Sequence, residues 1–265
     1  MIDFYNNKII WITGASSGIG RALVDVLSNF DTTIIISSRN EVDLKCLQNI
    51  LIKRKAKIHV FSFDLNNISE FPNYVDNIIQ NFGRIDILFN NGGLSQRSLA
   101  IETPIEIDRK LMEVNYFSNI QLSKSILPFM INQKSGNIVV TSSISGKFGF
   151  YFRSGYAASK HALHGFYESL YLENMKFGIN ITMVCPGSVK TNIAKNALLK
   201  DGSASNSSEN RLEQGMNPNL CAKKIIVAVS KNKKEVIIGG KEILPVYIKR
   251  FLPSFFWWII QRVKP

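Results

Sequence analysis

Seven short apolar runs recur along the chain and read as strands: 8–13, 33–38, 57–63, 85–90, 136–142, 179–185 and 234–238. Most are continuously apolar rather than alternating, the pattern of strands covered on both faces. Between them lie longer stretches with apolar residues at helical spacing. The clearest spans 21–30, with Ala22, Leu23, Val26 and Leu27 on one face. Strands alternating with helices predict an α/β fold, a doubly wound and mainly parallel sheet of about seven strands flanked by helices. At 265 residues and 45% hydrophobic, the chain can bury one sizeable core, so 1–265 is expected to be a single domain.

Such sheets bind ligands at the carboxyl ends of their strands. Gly14, Asp64, Asn91, Ser143 and Pro186 all fall at or just after predicted strand ends, so they should meet on one edge. The first strand leads into Gly14-Ala-Ser-Ser-Gly18-Ile-Gly20 and then a helix. Glycines allow close backbone approach, and a helix start offers free N–H groups and a positive dipole end, which together make a phosphate cradle. Taken alone the motif is also compatible with a simple turn. Tyr156 and Lys160 are four apart and share one helix face. Ser143 closes an apolar strand upstream. A phenol, an ammonium and a hydroxyl brought together can move a proton onto or off an oxygen, as a carbonyl/alcohol redox step requires.

The ordered set Thr13-Gly-Ala-Ser-Ser-Gly-Ile-Gly20, Asp64, Asn90-Asn-Gly-Gly93, Asn115, Ser143, Tyr156-x-x-x-Lys160 and Pro186-Gly187 resembles the short-chain dehydrogenase/reductase family. Asn90-Asn-Gly-Gly-Leu-Ser-Gln-Arg-Ser-Leu99 further resembles its dehydrogenase/reductase member 7 branch, whose membrane-associated carbonyl reductases act on steroid- and retinoid-like substrates. The resemblance implies a Rossmann fold and a catalytic set of Asn115, Ser143, Tyr156 and Lys160. Tyr156 would be general acid in reduction and base in oxidation. Lys160 and the positive charge of the oxidised nicotinamide would lower its pKa, Lys160 would also hold the nicotinamide ribose, Ser143 would hold the substrate oxygen, and Asn115 would hold a water leading to Lys160. A purely structural Asn115 amide is the other reading.

For the cofactor, the resemblance implies contacts from Gly14, Ser16, Ser17, Gly18, Ile19 and Gly20 at the phosphates. Asp64 with Leu65 would lie at the adenine, Asn91, Gly92 and Gly93 beneath the cofactor, and Tyr156 and Lys160 at the ribose. Pro186, Gly187, Val189 and Thr191 would lie at the carboxamide and pyrophosphate. Asp64 would serve equally as a helix N-cap. Many family members have alanine where Gly92 stands, so that turn is expected to be slightly looser. Ser38 and Arg39 end the second strand where NAD-preferring members place an acid. A guanidinium can bind a 2′-phosphate that a carboxylate would repel, so NADP(H) is expected over NAD(H).

The net charge of +12 adds a question of partners. No nucleic-acid-binding motif accompanies the dispersed basic residues, so no nucleic acid is expected, and NADP(H) or an anionic membrane surface explains the charge better. Cys46, Cys185 and Cys221 are too few and scattered for a disulfide framework. They suit a reducing, cytoplasmic compartment. His59, His161 and His164 show no ligand spacing with carboxylates, and no metal is expected. Residues 1–8 are not expected to act as a signal peptide.

Residues 195–218 are polar and read as a flexible substrate lid or, more plainly, a disordered insertion. The apolar tail 249–265, with Phe251-Leu-Pro-Ser-Phe-Phe-Trp-Trp-Ile-Ile260 between cations, is too short to span a bilayer. It fits peripheral contact with a membrane surface, or packing over the substrate pocket or a second subunit. Phe148, Phe150, Tyr151 and Phe152 are candidates for an apolar pocket or for packing. The combined expectation is an NADPH-dependent enzyme interconverting a small apolar carbonyl and an alcohol, as a homodimer or homotetramer. The rivals are a non-catalytic nucleotide-sensing protein, a membrane-surface interaction protein, and a dehydratase or epimerase on the same fold.

Overall fold

The structure is a computed structural model that describes residues 2–206 and 214–263. All seven expected strands form: β1 Ile9–Thr13, β2 Thr33–Ser37, β3 Lys57–Val60, β4 Ile87–Asn90, β5 Gly136–Thr141, β6 Ile179–Pro186 and β7 Glu235–Ile238. They make one parallel sheet in the order β3-β2-β1-β4-β5-β6-β7. The order reverses between β1 and β4, and a crevice opens there at the strand ends.

The helices are α1 Ile2–Tyr5, α2 Gly18–Leu27, α3 Glu41–Ile50, α4 Phe71–Phe82, α5 Ile105–Met112, α6 Ser118–Asn132, α7 Ser154–Asn174, α8 Pro218–Ser230, α9 Leu244–Phe251 and α10 Pro253–Ile260. Successive strand residues point to opposite faces. Ile10, Ile12, Ile34, Ile36 and Phe89 therefore join the core under α2 and α8. Trp11, Ile35, Leu88, Ile138 and Val140 join the core under α4, α6 and α7. Burying each such side chain contributes about 1.5–3 kcal/mol, so both faces must be covered for the sheet to persist. The buried Trp11 indole still finds an acceptor, donating to Ser37 Oγ at 2.9 Å.

Three elements depart from the sequence expectation by more than one residue. β3 stops at Val60; beyond it the chain follows β2 through separate bonds, from Phe61 N to Ile36 O and from Ser62 Oγ and Phe63 N to Ser38 O. β4 begins at Ile87, because the buried Asp86 carboxylate accepts the Ile9 N–H at 2.9 Å. α2 starts at Gly18, directly after the extended Ser17, not at Arg21.

The C-terminal segment folds as two short helices. Val246, Phe256 and Ile260 pack on Phe148, with Ile144, Phe150 and Ile237 alongside. The tail thus lies over the loop that follows Ser143.

Candidate active site

A cleft of about 700 Å³ lies at the strand ends. It is lined by Gly14, Ser16, Ser17, Gly18, Ile19, Ser38, Arg39, Asp64, Leu65, Asn91, Gly92, Gly93 and Thr191, so most of the expected cofactor residues share one wall. Gly14 has φ of +64°, and a Cβ there would fall 2.7 Å from the Gly92 Cα. Only glycine satisfies both conditions. At Gly20 a Cβ would meet the Gly14 carbonyl oxygen at 2.1 Å, so Gly20 supports the turn from below while Gly18 and Ile19 face the cleft. A Cβ on Gly92 would lie 2.5 Å from Leu65 Cδ1, so the glycine that departs from the common family pattern makes room for Leu65.

The Thr13 hydroxyl locks this wall. It donates to Phe89 O and accepts from the backbone N–H groups of Asn91 and Gly92 at 3.0 and 3.2 Å. Asp64 Oδ1 accepts from the Asn66 N–H at 3.0 Å; the following 3₁₀ turn, Ile68–Glu70, is preceded by Asn67, so Asp64 is no helix N-cap. Arg39 is exposed on the cleft wall. A pre-formed crevice with a glycine cradle that any Cβ would fill suits a dinucleotide.

Pro186, Gly187 and Val189 do not line the cleft. Pro186 ends β6, Gly187 N donates to Ile238 O at 2.7 Å, and Val189 is buried in the core. Met216 clamps this stretch, donating to Ser188 O and accepting from Lys190 N.

Just behind the cleft wall stand the acid–base groups. Lys160 Nζ donates to Thr141 O at 2.8 Å and lies 5.9 Å from the centre of the Tyr156 ring. Burial pushes Lys160 down to about 8. The sequence leads one to expect a phenol lowered by Lys160 together with the oxidised nicotinamide. Among the chain's own groups, burial acts first and raises the Tyr156 phenol, opposed by the Arg153 guanidinium and a hydrogen bond with Ser143. Ser143 also accepts from the Ser145 N–H at 3.1 Å. Its neighbour Ser142 turns the other way, as strand alternation requires.

Asn115 is fully buried on a π-helical segment, Glu113–Phe117, between α5 and α6. Its Oδ1 accepts from Leu94 N at 2.8 Å, and its Nδ2 donates to Leu94 O at 2.9 Å and Ser159 Oγ at 3.0 Å. Its own carbonyl accepts from Asn119 Nδ2 at 2.9 Å. These bonds hold the Leu94 loop against α7. A Cβ on Gly93 would come 2.9 Å from Asn115 Oδ1 and 3.5 Å from Lys160 Nζ, so Gly93 keeps the space between them open.

Two features escaped the sequence reading. Gln96, fully buried, accepts from the N–H groups of Gly155 and Tyr156. Behind α7, His164 meets Cys185 and Glu235, three metal-ligand types within 4.8 Å. Cys185 approaches Nε2 at 3.7 Å, while Glu235 lies 3.6 Å from Nδ1. Between His164 and Glu235 sits the Lys147 ammonium, 3.2 Å from Nδ1 and ion-paired with Glu235. The place of a cation is filled by a lysine. Gln96 falls within the 90–99 run that resembles the family branch, but nothing local marks its bonds or those of His164; each feature joins residues far apart in the chain.

The described part of the segment expected to form a lid is folded. Leu198 bridges Gln96 on one side and Ala204 on the other, and Leu198, Gly202 and Ala204 line the cleft. Residues 207–213 of the expected 195–218 run lie outside the described residues. None of Phe148, Phe150, Tyr151 and Phe152 lines the cleft; Phe148 is a packing residue against Phe256.

Residues 8–201 match the family model for short chain dehydrogenases. The chain is 37% identical over 264 residues to dehydrogenase/reductase SDR family member 7 of Homo sapiens, covering 97% of this chain and 78% of that one. It is 35% identical over 269 residues to member 7B of Xenopus tropicalis, covering 98% and 87%. A short-chain dehydrogenase from Streptomyces avermitilis superposes with a TM-score of 0.80 at 29% identity, covering 97% of this chain and 96% of that one. An SDR from Burkholderia phymatum, solved with NAD, has the same fold, with a TM-score of 0.84 at 20% identity and 98% of both chains covered. The chain belongs to the short-chain dehydrogenase/reductase family, in its member 7 branch, and is an NAD(P)-dependent oxidoreductase.

Proposed function

We propose that the chain is an NADP(H)-preferring oxidoreductase that interconverts an apolar ketone or aldehyde and its alcohol. The observation that carries the cofactor preference is Arg39, beside Ser38 on the cleft wall, where β2 ends without a carboxylate. A guanidinium binds a 2′-phosphate through charge-assisted hydrogen bonds. When bound, the nicotinamide supplies or accepts the hydride.

The chain's own groups handle the proton and the charge. Tyr156 gives a proton to the carbonyl oxygen in reduction and takes it back in oxidation. Ser143 donates to that oxygen and stabilises the charge growing on it. Lys160, aimed by its bond to Thr141 O, brings a cation near the phenol and reaches toward the ribose. Asn115 keeps the Leu94 loop and α7 in register around them. Leu94, Val114, Ile193, Leu198 and Ala204 line part of the cleft and favour an apolar substrate such as a steroid-, retinoid- or lipid-like carbonyl. Exposed Phe117, Leu172 and Met175 on the outer helices offer apolar surface for a homodimer or homotetramer.

The deciding experiment is steady-state kinetics of Arg39→Ala with both cofactors. The NADPH KM should rise by about 10- to 100-fold, the scale of one charged hydrogen-bonding partner lost, with the NADH KM nearly unchanged. Equal rises for both cofactors would remove Arg39 from the role.

The tail supports a second reading, contact with an anionic membrane surface. No described helix is long and apolar enough to cross a bilayer. Yet Phe251 is 74% exposed, Trp257 57% and Trp258 55%, beside Lys249, Arg250 and Arg262. Aromatic rings with flanking cations suit the interface. Phe256 and Ile260 hold the tail in place, so the cleaner test leaves them intact. Trp257→Ser with Trp258→Ser should abolish co-sedimentation with phosphatidylcholine/phosphatidylserine vesicles. Unchanged sedimentation would rule the contact out.

A further inference from the structure

Helix α7 carries Tyr156 and Lys160, yet Arg153 at its N-cap position makes no side-chain capping bond. The first turn of any helix has unpaired N–H groups that need an acceptor. Here the acceptor comes from another part of the chain. Gln96 Oε1 accepts from Gly155 N at 2.8 Å and from Tyr156 N at 3.2 Å. Both partners are backbone donors, so the atom facing them must be the amide oxygen. The amide nitrogen then donates among Thr103 Oγ1 at 3.0 Å and Ser98 and Ser154 Oγ at 3.3 Å. Every polar atom of this fully buried side chain is used.

The same loop grips the helix entry at further points, among them Arg153 Nη1 to Gln96 O at 3.5 Å. Arg153 Nη1 donates to Ser95 Oγ at 2.5 Å, and Ser98 N donates to Phe152 O at 3.2 Å. On its other side the loop is paired with the lid: Leu198 N donates to Ser95 O at 2.9 Å, and Arg97 N donates to Leu198 O at 2.8 Å. Leu198 also packs on Ile107 and Leu111 of α5 and lines the cleft. A single stretch, 95–98, is therefore bonded to the lid along one edge and to the start of α7 along the other.

We propose that Gln96 is a positioning residue that couples the lid to Tyr156. Its amide sets where α7 begins, and so where the phenol stands relative to Ser143, and the bridge at Leu198 fixes the loop from which that amide reaches. A substrate that seats Leu198 thereby also seats Tyr156. A buried amide with no lid coupling would cost stability when lost but would not depend on the Leu198 bond. The inference rests on the acid–base role proposed above for Tyr156.

The test uses the full chain, NADPH and a carbonyl that the wild-type protein reduces. Gln96→Leu removes acceptor and donors, whereas Gln96→Glu keeps an acceptor at the Gly155 and Tyr156 N–H groups. Gln96→Leu should lower kcat by about 100-fold, the scale of an ångström-level misplacement, while NADPH affinity stays within about twofold. Gln96→Glu should recover most of the loss. Leu198→Pro, which deletes the N–H bonded to Ser95 O, should speed amide exchange at Gly155 and Tyr156 and lower kcat. Combined with Gln96→Leu it should add little, since both act through one connection.

A folded Gln96→Leu with unchanged kcat, or losses that multiply in the double variant, would overturn the proposal. If Gln96→Leu does not fold, unchanged Gly155 and Tyr156 exchange in Leu198→Pro overturns it instead. Retained turnover in Tyr156→Phe would sink the underlying catalytic reading, whereas the exchange result speaks to the coupling alone.

Discussion

Lys160 and His164 stand one turn apart on α7, and each belongs to a buried polar cluster, yet the two clusters are opposites in chemistry. Toward the cleft, Lys160 donates one hydrogen to Thr141 O and reaches Gly93, which lines the cavity. Away from it, the groups form a closed chain. The Lys147 ammonium can only donate, so His164 Nδ1 accepts and Nε2 carries the hydrogen. That hydrogen goes to Ser142 Oγ at 3.0 Å, and Ser142 in turn donates to Lys160 O at 3.2 Å. Both clusters perturb their titratable groups by burial: Lys160 falls to about 8, His164 to about 4, and Cys185 rises to about 12. Perturbation alone therefore does not identify a reactive group. What separates the clusters is that one borders a cavity a reactant can enter and the other has its protons already committed.

The largest effect that would break this contrast is in the cleft-side cluster. Tyr156→Phe removes the exchangeable proton and keeps the ring. Turnover should fall by about 10²- to 10⁴-fold, the usual worth of a general acid, with NADPH binding by fluorescence titration nearly unchanged. Because burial raises the phenol, Tyr156 is held protonated at neutral pH, the form that reduction needs. Substantial turnover in the variant would mean that another group delivers the proton.

The ease of reading these parts from sequence follows the same division. The cleft side is built from strand-end turns and one helix face, where spacing carries the geometry. Gly14 to Gly20, Ser143, and Tyr156 with Lys160 are local patterns; the family resemblance selects Ser143 over Ser142, and alternation in the extended chain just past β5 turns Ser142 away. The strands themselves were legible because β-branched runs buried on both faces have little else they can form. Gln96 and His164 had no such signal. Gln96 sits in a loop that looks merely polar, and its partners lie 59 and 60 positions away. His164 occupies an ordinary helical position, and only packing of α7 against β6, β7 and the loop after Ser143 brings Cys185, Glu235 and Lys147 to it. At Tyr156 the spacing shows the neighbouring lysine, but not the burial that raises the phenol. The tail was half legible: its apolar character was plain, but which residues face Phe148 and which face outward depends on tertiary packing.

A smaller effect sharpens the comparison from the other side. His164 has an ordinary value of 6.5 and is held near 4 in the fold, mainly by burial and then by Lys147. Glu235 and Glu168 lie 3.6 and 4.0 Å from Nδ1, but Lys147 stands closer and is paired with Glu235, so their charge does not reverse the direction. Between pH 6.5 and 4 the unfolded chain binds a proton at this site that the folded chain refuses. Stability attributable to His164 is therefore complete above pH 6.5 and declines as pH falls toward 4. His164→Asn should lower Tm modestly at pH 7, because the bonds to Ser142 and Lys147 change. The variant should then lose less Tm than the wild type on going to pH 4.5. Its kcat should change little, because the bonds from His164 through Ser142 end at the Lys160 backbone carbonyl and not at a group that faces the cleft. A kcat loss matching that of Tyr156→Phe would join the two clusters into one catalytic unit. An unchanged acid slope in Tm would show that His164 titrates normally and that the closed chain of bonds does not hold.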